Sequence, residues 1–342
     1  MTYMTAVVYD APRSFAIRRI PRPVPRDDEV LLKVAVAGVC GTDVHLHHGE
    51  FGPAYPLIPG HEFVGEIVAA GVAVTGVEPG QQVAVDNTSS CGHCTECRRA
   101  RPAFCRHLVA RGVNAPGGFA EYVAVPAARC FPVDDIVADI AVFAEPTACV
   151  VHGLDVLELS PGADVLVLGA GPTGLILTQL LARSGAGHLT VGAPTAAKLA
   201  LARATGADDV VQLDRSDTTA SAGQLRGLAP DGFDVVVDAT GSVGVLGAAM
   251  DLVRAGGTIF VYGMAPQAAR WPIPPYEVFH RELVIKGSFA QQFSFDRAVA
   301  LLRRGKIVTD GMITHRFPLE KYADALDAVS ESASIKTVIT SA

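Results

Sequence analysis

The segment CGHCTECRRARPAFC gathers Cys91, Cys94, Cys97 and Cys105 into one short loop. Four thiolates at this spacing match a closed tetrahedral zinc site, in which the protein fills every coordination position. Two other readings compete. The cysteines could be buried or disulfide-bonded, and Arg98, Arg99, Arg101 and Arg106 raise a nucleic-acid zinc finger. A finger, however, parts its ligands into two pairs across a longer stretch than this loop provides. A run of arginines is ordinarily just a solvated face. A structural zinc lobe is therefore expected. His93 lies in the same loop, but four cysteines already complete a tetrahedron.

A second motif is VLVLGAGPTG, which sets Gly169, Gly171 and Gly174 after an apolar strand and before an apolar helix. Gly169 permits a tight turn, Gly171 lets a pyrophosphate approach the backbone, and Gly174 allows close helix–strand packing. Pro172 suits the first helical turn, where a missing N–H costs nothing, and Thr173 completes the loop. An ordinary strand–helix turn can carry the same glycines. Repeated strand–helix units around this one make dinucleotide binding the reading. A third set is dispersed: Cys40 in GVCGTDVH, His61 and Glu62 in PGHEFVGEI, and Glu145 in FAEPTACVVHG. These residue types suit a metal, but spacing alone does not join them. A lone Cys or His is more often a core residue.

The elements that must position these groups change character along the chain. Up to residue 150 short β-type runs recur, at Ala6–Tyr9, Phe15–Ile20, Val30–Val36, Phe63–Ala69, Gln82–Val85 and Glu121–Val125, punctuated by Gly and Pro. From Asp164–Leu168 strands alternate with helices: a helix to about Ser184, strand Leu189–Val191, helix Ala196–Thr205, strands Val210–Leu213 and Val235–Asp238, helix Val243–Val253 and strand Thr258–Tyr262. Alternation of this kind implies a parallel sheet covered on both faces. Helices near Phe295–Arg304 and Leu319–Val329 then precede a last strand, Thr337–Thr340. The parse is an α/β domain, 151–287, inserted into a β-rich domain formed by 1–150 and 288–342.

Composition narrows the function class. At ~150 residues per domain, 342 residues make about two domains. A net charge of −7 argues against a protein that works by neutralising nucleic-acid phosphates. With 49% hydrophobic and 18% charged residues, disorder is not expected. Apolar runs are interrupted short of the ~20 residues a bilayer span needs, and MTYMTAVVYD does not read as a signal peptide. A cytoplasmic protein without membrane partners follows. In that compartment the seven cysteines read as metal ligands or buried thiols, Cys130 and Cys149 being the latter.

Taken together, GVCGTDVH, GHEFVGEI, the four-cysteine lobe, GGFAEY and GAGPTG resemble, in order and separation, the zinc-dependent medium-chain alcohol dehydrogenase family, along essentially the whole chain. EPTACVVHG is similar to the polyol and sorbitol dehydrogenase branch. The resemblance implies a GroES-like catalytic domain with an inserted Rossmann domain. It implies a catalytic zinc held by Cys40 and His61, with Glu62 a ligand or an adjacent carboxylate. Glu145 would be the remaining ligand, direct or through water. Thr42 would bond the substrate hydroxyl, His45 would pass its proton to solvent, and Asp43 would orient His61. Phe119 and the stretch 49–56 would line the pocket, while His47 and His48 carry no family role and are read as surface residues. The reaction implied is reversible hydride transfer between a secondary alcohol or polyol and a nicotinamide cofactor. Ala290 stands where sorbitol dehydrogenases often carry an Arg, so sorbitol itself is not implied. A zinc-independent quinone or enoyl reductase would lack both cysteine-containing sets. A non-catalytic binding protein would not need Thr42 and His45. The family is dimeric or tetrameric.

Cofactor choice is read from LTVGAPTAAK, the second strand of the nucleotide domain. An acidic residue ~20 positions past the glycine turn holds the ribose of NAD. Here Ala193 occupies that place and no Asp or Glu is near it in sequence. Thr195 can donate a hydrogen bond to a 2′-phosphate, and Lys198 or Arg215 could supply charge. The reading leans to NADP over NAD.

Overall fold

The computed structural model describes residues 2–214 and 218–340, so Arg215 lies outside the described residues. The chain divides into two compact units, Met1–Cys149 with Gln291–Ala342, and Val150–Ala290.

The first unit is built on a sheet whose strands run, edge to edge, Ile313–Pro318, Lys336–Thr340, Glu29–Val39, Glu62–Ala70, Gln82–Val85 and Cys130–Pro132. Tyr122–Pro126 also pairs with Glu29–Val39, and Tyr3–Ala11 forms an antiparallel hairpin with Ser14–Pro21. The central strand EVLLKVAVAGV exposes Lys33 and Ala35 while burying Leu32 and Val34, the two-residue alternation of a pleated strand. Its core joins Val30, Leu32, Val34, Phe63, Ile67, Phe119 and Tyr322. Phe119 is completely buried there, with its ring 5.2 Å from that of Tyr322. It therefore does core work rather than lining a pocket: a Cβ on Gly60 would come within 2.7 Å of it. Within 49–56, Tyr55 also packs on this core, whereas Phe51 is exposed.

In the second unit the strands are ordered Asp209–Gln212, Ala186–Ala193, Ala163–Leu168, Phe233–Asp238, Val253–Val261 and Val284–Gly287, all parallel. Val165, Leu166 and Val167 have no exposed surface, as expected for a parallel strand covered on both faces. This is the doubly wound order, with the reversal beside Ala163–Leu168, whose C-terminal end carries the glycine turn. The edge strand Val284–Gly287 is too short to stand out in the sequence. Helix Val243–Leu252 stops one residue earlier than expected because Val253 already begins the next strand.

The stretch Ala138–Leu157 meets a length and hydropathy test for a membrane span, which the sequence reading did not anticipate, but 67% of it is buried inside the protein. It holds two helices, Ala138–Ala141 and Ala144–Leu157, and carries Asp139 and Glu145. An apolar core helix satisfies the same test.

Candidate active site and metal centres

Cys40 is the N-cap of helix Gly41–His47, a position that makes its side chain face back onto the first turn. Its Sγ accepts from the Thr42 N–H at 3.3 Å, and its own N–H donates to Asp43 Oδ2 at 3.0 Å, so the two residues cap the helix reciprocally. The adjacent strand Glu62–Ala70 follows directly on His61, whose Nε2 lies 3.3 Å from Cys40 Sγ. His61 Nδ1 faces Asp43 Oδ1 at 3.7 Å, and neither atom has a hydrogen-bond partner although both are buried. Asp43 thus stands where an orienting carboxylate for His61 belongs.

Cys40, His61 and Glu62 bring their donor atoms within 4.8 Å of one another. Glu145 lies outside that group, on helix Ala144–Leu157, yet near enough for His61 and Glu62 to act on its charge. Burial pushes its carboxyl up to about 7, against the pull of His61. Burial likewise pushes the Cys40 thiol up. For His61 burial works downward, but Cys40 and Asp43 overcome it and hold the imidazole well above its usual range. A thiol and the Glu145 carboxyl whose anionic forms burial disfavours, set beside an imidazole, are a donor set that a divalent cation would stabilise.

Glu62 has a partner that sequence reasoning missed. Its Oε2 forms a buried ion pair with Lys336 Nζ, and the two side chains are 3% and 1% exposed. Lys336 opens the last strand, which pairs with Glu29–Val39, and Glu62 is in register with Gly38 of that same strand. A Cβ at Gly38 would strike Glu62 Oε2 and come within 2.8 Å of Lys336 Cε, so the glycine makes room for the pair.

Thr42 and His45 lie three residues apart on helix Gly41–His47, on one face of it. His45 Nδ1 bonds Glu50 Oε2 at 3.0 Å, a second partner not foreseen from sequence. An ionised Glu50 makes Nδ1 the protonated nitrogen and leaves Nε2 as an acceptor. His47 is not the plain surface residue expected. It is half-buried, with Nδ1 2.9 Å from Tyr9 Oη, which in turn lies 3.2 Å from Tyr322 Oη. His48 is exposed.

In the cysteine lobe Sγ–Sγ distances are 3.9 Å for Cys91–Cys97, 3.5 Å for Cys94–Cys97 and 3.9 Å for Cys94–Cys105. A tetrahedron with Zn–S bonds of about 2.3 Å has edges of about 3.8 Å. All four cysteines are free, and their donor atoms form one group within 4.8 Å. Backbone N–H groups of Cys97 and Arg106 bring the Cys94 thiol down to about 6, and those of Cys91 and His107 donate to Cys105. His93 turns away, with Nδ1 2.8 Å from the Cys91 carbonyl.

The glycine turn has the geometry its three roles require. Gly169 adopts φ +114°, a Cβ on Gly171 would meet nothing within 4 Å, and one on Gly174 would collide with the Gly169 carbonyl. Pro172 and Thr173 then start helix Pro172–Arg183, whose N-terminus lacks a side-chain cap and is suited to a phosphate. Ala193 ends its strand, buried, and its carbonyl accepts from Leu213 N–H. Thr195 is the N-cap of helix Ala196–Thr205, and Lys198 lies half-buried in its first turn. Ala193 is in register with Gln212, so Asp214 is an acidic residue near the strand end that the local sequence window does not contain.

Residues 26–135 match the model of the alcohol dehydrogenase GroES-like domain, and 172–315 that of the zinc-binding dehydrogenase. D-arabinitol dehydrogenase 1 of Uromyces fabae is 45% identical over 98% of this chain and 97% of its own. The chain belongs to the zinc-binding alcohol dehydrogenase family. Among solved structures, a zinc-binding dehydrogenase from Sinorhizobium meliloti 1021 bound to NADP is similar at a TM-score of 0.93 and 34% identity, over 99% of this chain and 100% of that one. A structure described as a short chain alcohol dehydrogenase from E. coli CFT073, complexed with NADH, reaches a TM-score of 0.89 at 28% identity, with coverage of 99% and 100%. Membership makes this dehydrogenase an oxidoreductase that interconverts alcohols and carbonyl compounds with a nicotinamide cofactor.

Proposed function

We propose that the protein oxidises a polyol at a secondary hydroxyl, reversibly, with NADP preferred over NAD and with one catalytic and one structural zinc ion per subunit. The carrying observation is the Cys40, His61 and Glu62 cluster, which has fewer ligands than the four-cysteine lobe and so leaves coordination positions for substrate. Zinc held there would supply Lewis acidity toward an alcohol oxygen, and a bound nicotinamide would supply the hydride acceptor. Cys40 and His61 would hold the metal, Glu145 would complete the site directly or through water, and Glu62 would stand beside them, paired with Lys336. Thr42 binds the substrate hydroxyl and takes its proton. His45, its tautomer fixed by Glu50, passes that proton to solvent. The polyol class is supported by the D-arabinitol dehydrogenase similarity.

Metal analysis of wild-type protein is expected to find two zinc ions per chain, and a panel of pentitols and hexitols to show turnover. One zinc or fewer, or no turnover with any alcohol, would reject this reading in favour of a non-catalytic protein. Assembly is proposed as a homodimer or homotetramer: strand Val284–Gly287 is a sheet edge with Val284 41% and Ile285 37% exposed, and Tyr276 and Phe279 are exposed as well. Seven free cysteines suit the cytoplasm.

The cofactor preference rests on Ala193. A carboxylate there would offer the ribose of NAD hydrogen bonds worth roughly 1.5–3 kcal/mol each. It would also repel a 2′-phosphate by a few kcal/mol at ~4 Å and an effective dielectric near ~20. Ala193 supplies neither effect, although Asp214 lies near the same strand end, and Thr195 and Lys198 sit at the start of the helix that follows. Ala193→Asp is expected to lower the NADP-to-NAD ratio of kcat/KM by at least about tenfold, the equivalent of ~1.4 kcal/mol. A wild type that strongly prefers NAD, with no response to the substitution, would overturn the assignment.

A further inference from the structure

We propose that Gln291 is a positioning residue that fixes the Glu145 carboxylate through the thiol of Cys149; the role rests on the catalytic-metal reading above. From the sequence Cys149 reads as a buried thiol, and Gln291 carries no role. The structure makes them two links of one chain, in which Cys149 is half-buried between the buried Glu145 and Gln291. Cys149 lies one helical turn after Glu145, and its Sγ is 3.3 Å from Glu145 Oε1 and 3.4 Å from Gln291 Oε1.

The orientation of the Gln291 amide is dictated by its other end. Nε2 is 3.1 Å from Asp86 Oδ1 and 2.7 Å from Asn87 Oδ1, both acceptors. Only the NH2 group can face them, so the oxygen must face the thiol. Asp86 and Asn87 are themselves anchored. Thr88 donates to Asp86 Oδ1 through its N–H and its hydroxyl, and Arg129 pairs with Oδ2 at 3.0 Å. Asn87 exchanges bonds with the backbone of Arg111. Gln291 is 5% exposed, so the amide has no water-facing alternative.

Cys149 has one proton and two acceptors. Neither the Gln291 amide oxygen nor a Glu145 carboxylate can donate, so the thiol between them is the donor. The bond to an ionised carboxylate is the stronger of the two. Gln291 Oε1, the second acceptor, shares that hydrogen and so holds the sulfur between the two oxygens. One carboxylate oxygen is engaged in this way. Gln291 is also the first residue after the nucleotide-binding unit, as Cys149 is the last before it. The two segments of the first unit thus meet at these residues, beside the carboxylate proposed to complete the metal site.

The test uses full-length enzyme with cobalt(II) in the catalytic site and zinc in the lobe. Cys149→Ala removes the donor itself, and Gln291→Leu removes one of its two acceptors. Each is expected to shift the cobalt d–d bands and to lower kcat by roughly 10- to 100-fold, the usual cost of losing a partner of a metal ligand. Because Gln291 acts through Cys149, the double variant should be no worse than the poorer single, and Cys149→Ser should restore the wild-type bands. Unchanged bands in both single variants, or additive losses in the double, would overturn the proposal. If Gln291→Leu fails to fold, Cys149→Ala with its serine rescue decides by the same spectrum. Failure of wild-type protein to take up cobalt at Cys40 would instead reject the catalytic-metal reading itself.

Discussion

Cys40→Ser is expected to abolish measurable turnover and remove one zinc ion while leaving the protein folded; Cys97→Ser is expected to do the reverse, costing the fold first. The asymmetry follows from what each sulfur touches. Cys40 is the only thiol in its cluster, so a serine there removes the one soft ligand of the proposed catalytic metal. Yet serine is itself a preferred N-cap. It can keep the bond from Thr42 N–H, and Asp43 can still accept from the residue 40 N–H, so helix Gly41–His47 should survive. The lobe around Cys97 has no comparable support. Helix Thr95–Arg98 has four residues and buries none of them, and Phe104 of the neighbouring turn is 56% exposed. With so little apolar packing, metal binding is what holds the loop, and in zinc-finger peptides it is worth about 10–16 kcal/mol at neutral pH. Zinc content, circular dichroism and thermal midpoint, measured beside kcat, check both variants. A Cys97→Ser protein that keeps its stability and loses only catalysis would reverse the assignment of the two sites.

How legible the molecule was depended on the range over which the signal acts. Strands such as Asp164–Leu168 and Phe63–Ala69 announced themselves by β-branched runs bounded by Gly and Pro. The glycine turn did so because three local constraints, on φ, on approach and on packing, each demand the same residue. The cysteine lobe was readable because its ligands are neighbours in the chain. Lys336 was not. It is a lone lysine at the head of an apolar strand, and only a contact spanning 274 positions shows that it is buried against Glu62. Gln291 was hidden for the same reason, 205 positions from Asp86. Phe119 misled because an aromatic beside two glycines can face a pocket or a core. The positive φ of Gly60 and its close approach to the ring show that it faces the core. Glu50 had a usable local signal: an acidic residue just past the end of a helix, within reach of a histidine in its last turn.

The ion pair hidden from sequence leads to the second large effect. Lys336→Met is expected to destabilise the first unit by about 3–5 kcal/mol, the usual consequence of removing one partner of a buried pair. Glu62 would be left 2% exposed without its ammonium partner. The loss should also reach the active site. Cys40, Glu62 and Glu145 offer three negative charges, which one ammonium and one divalent cation balance. Without Lys336 the cluster carries a net negative charge even when loaded, and Glu62 is freed to compete for the metal. Lys336→Arg keeps the charge but needs more room, and the space available is the hydrogen-sized gap at Gly38. It should therefore recover only part of the stability. The decisive comparison is the pair Lys336→Met with Glu62→Gln. If the cost is an orphaned charge, the double variant must be more stable than Lys336→Met alone, since it buries a neutral amide instead of a carboxylate. Chemical denaturation of the three proteins with zinc present measures this directly. A double variant no more stable than Lys336→Met would mean that the lysine acts by filling space, with its stem packed in the sheet and its charge irrelevant to Glu62.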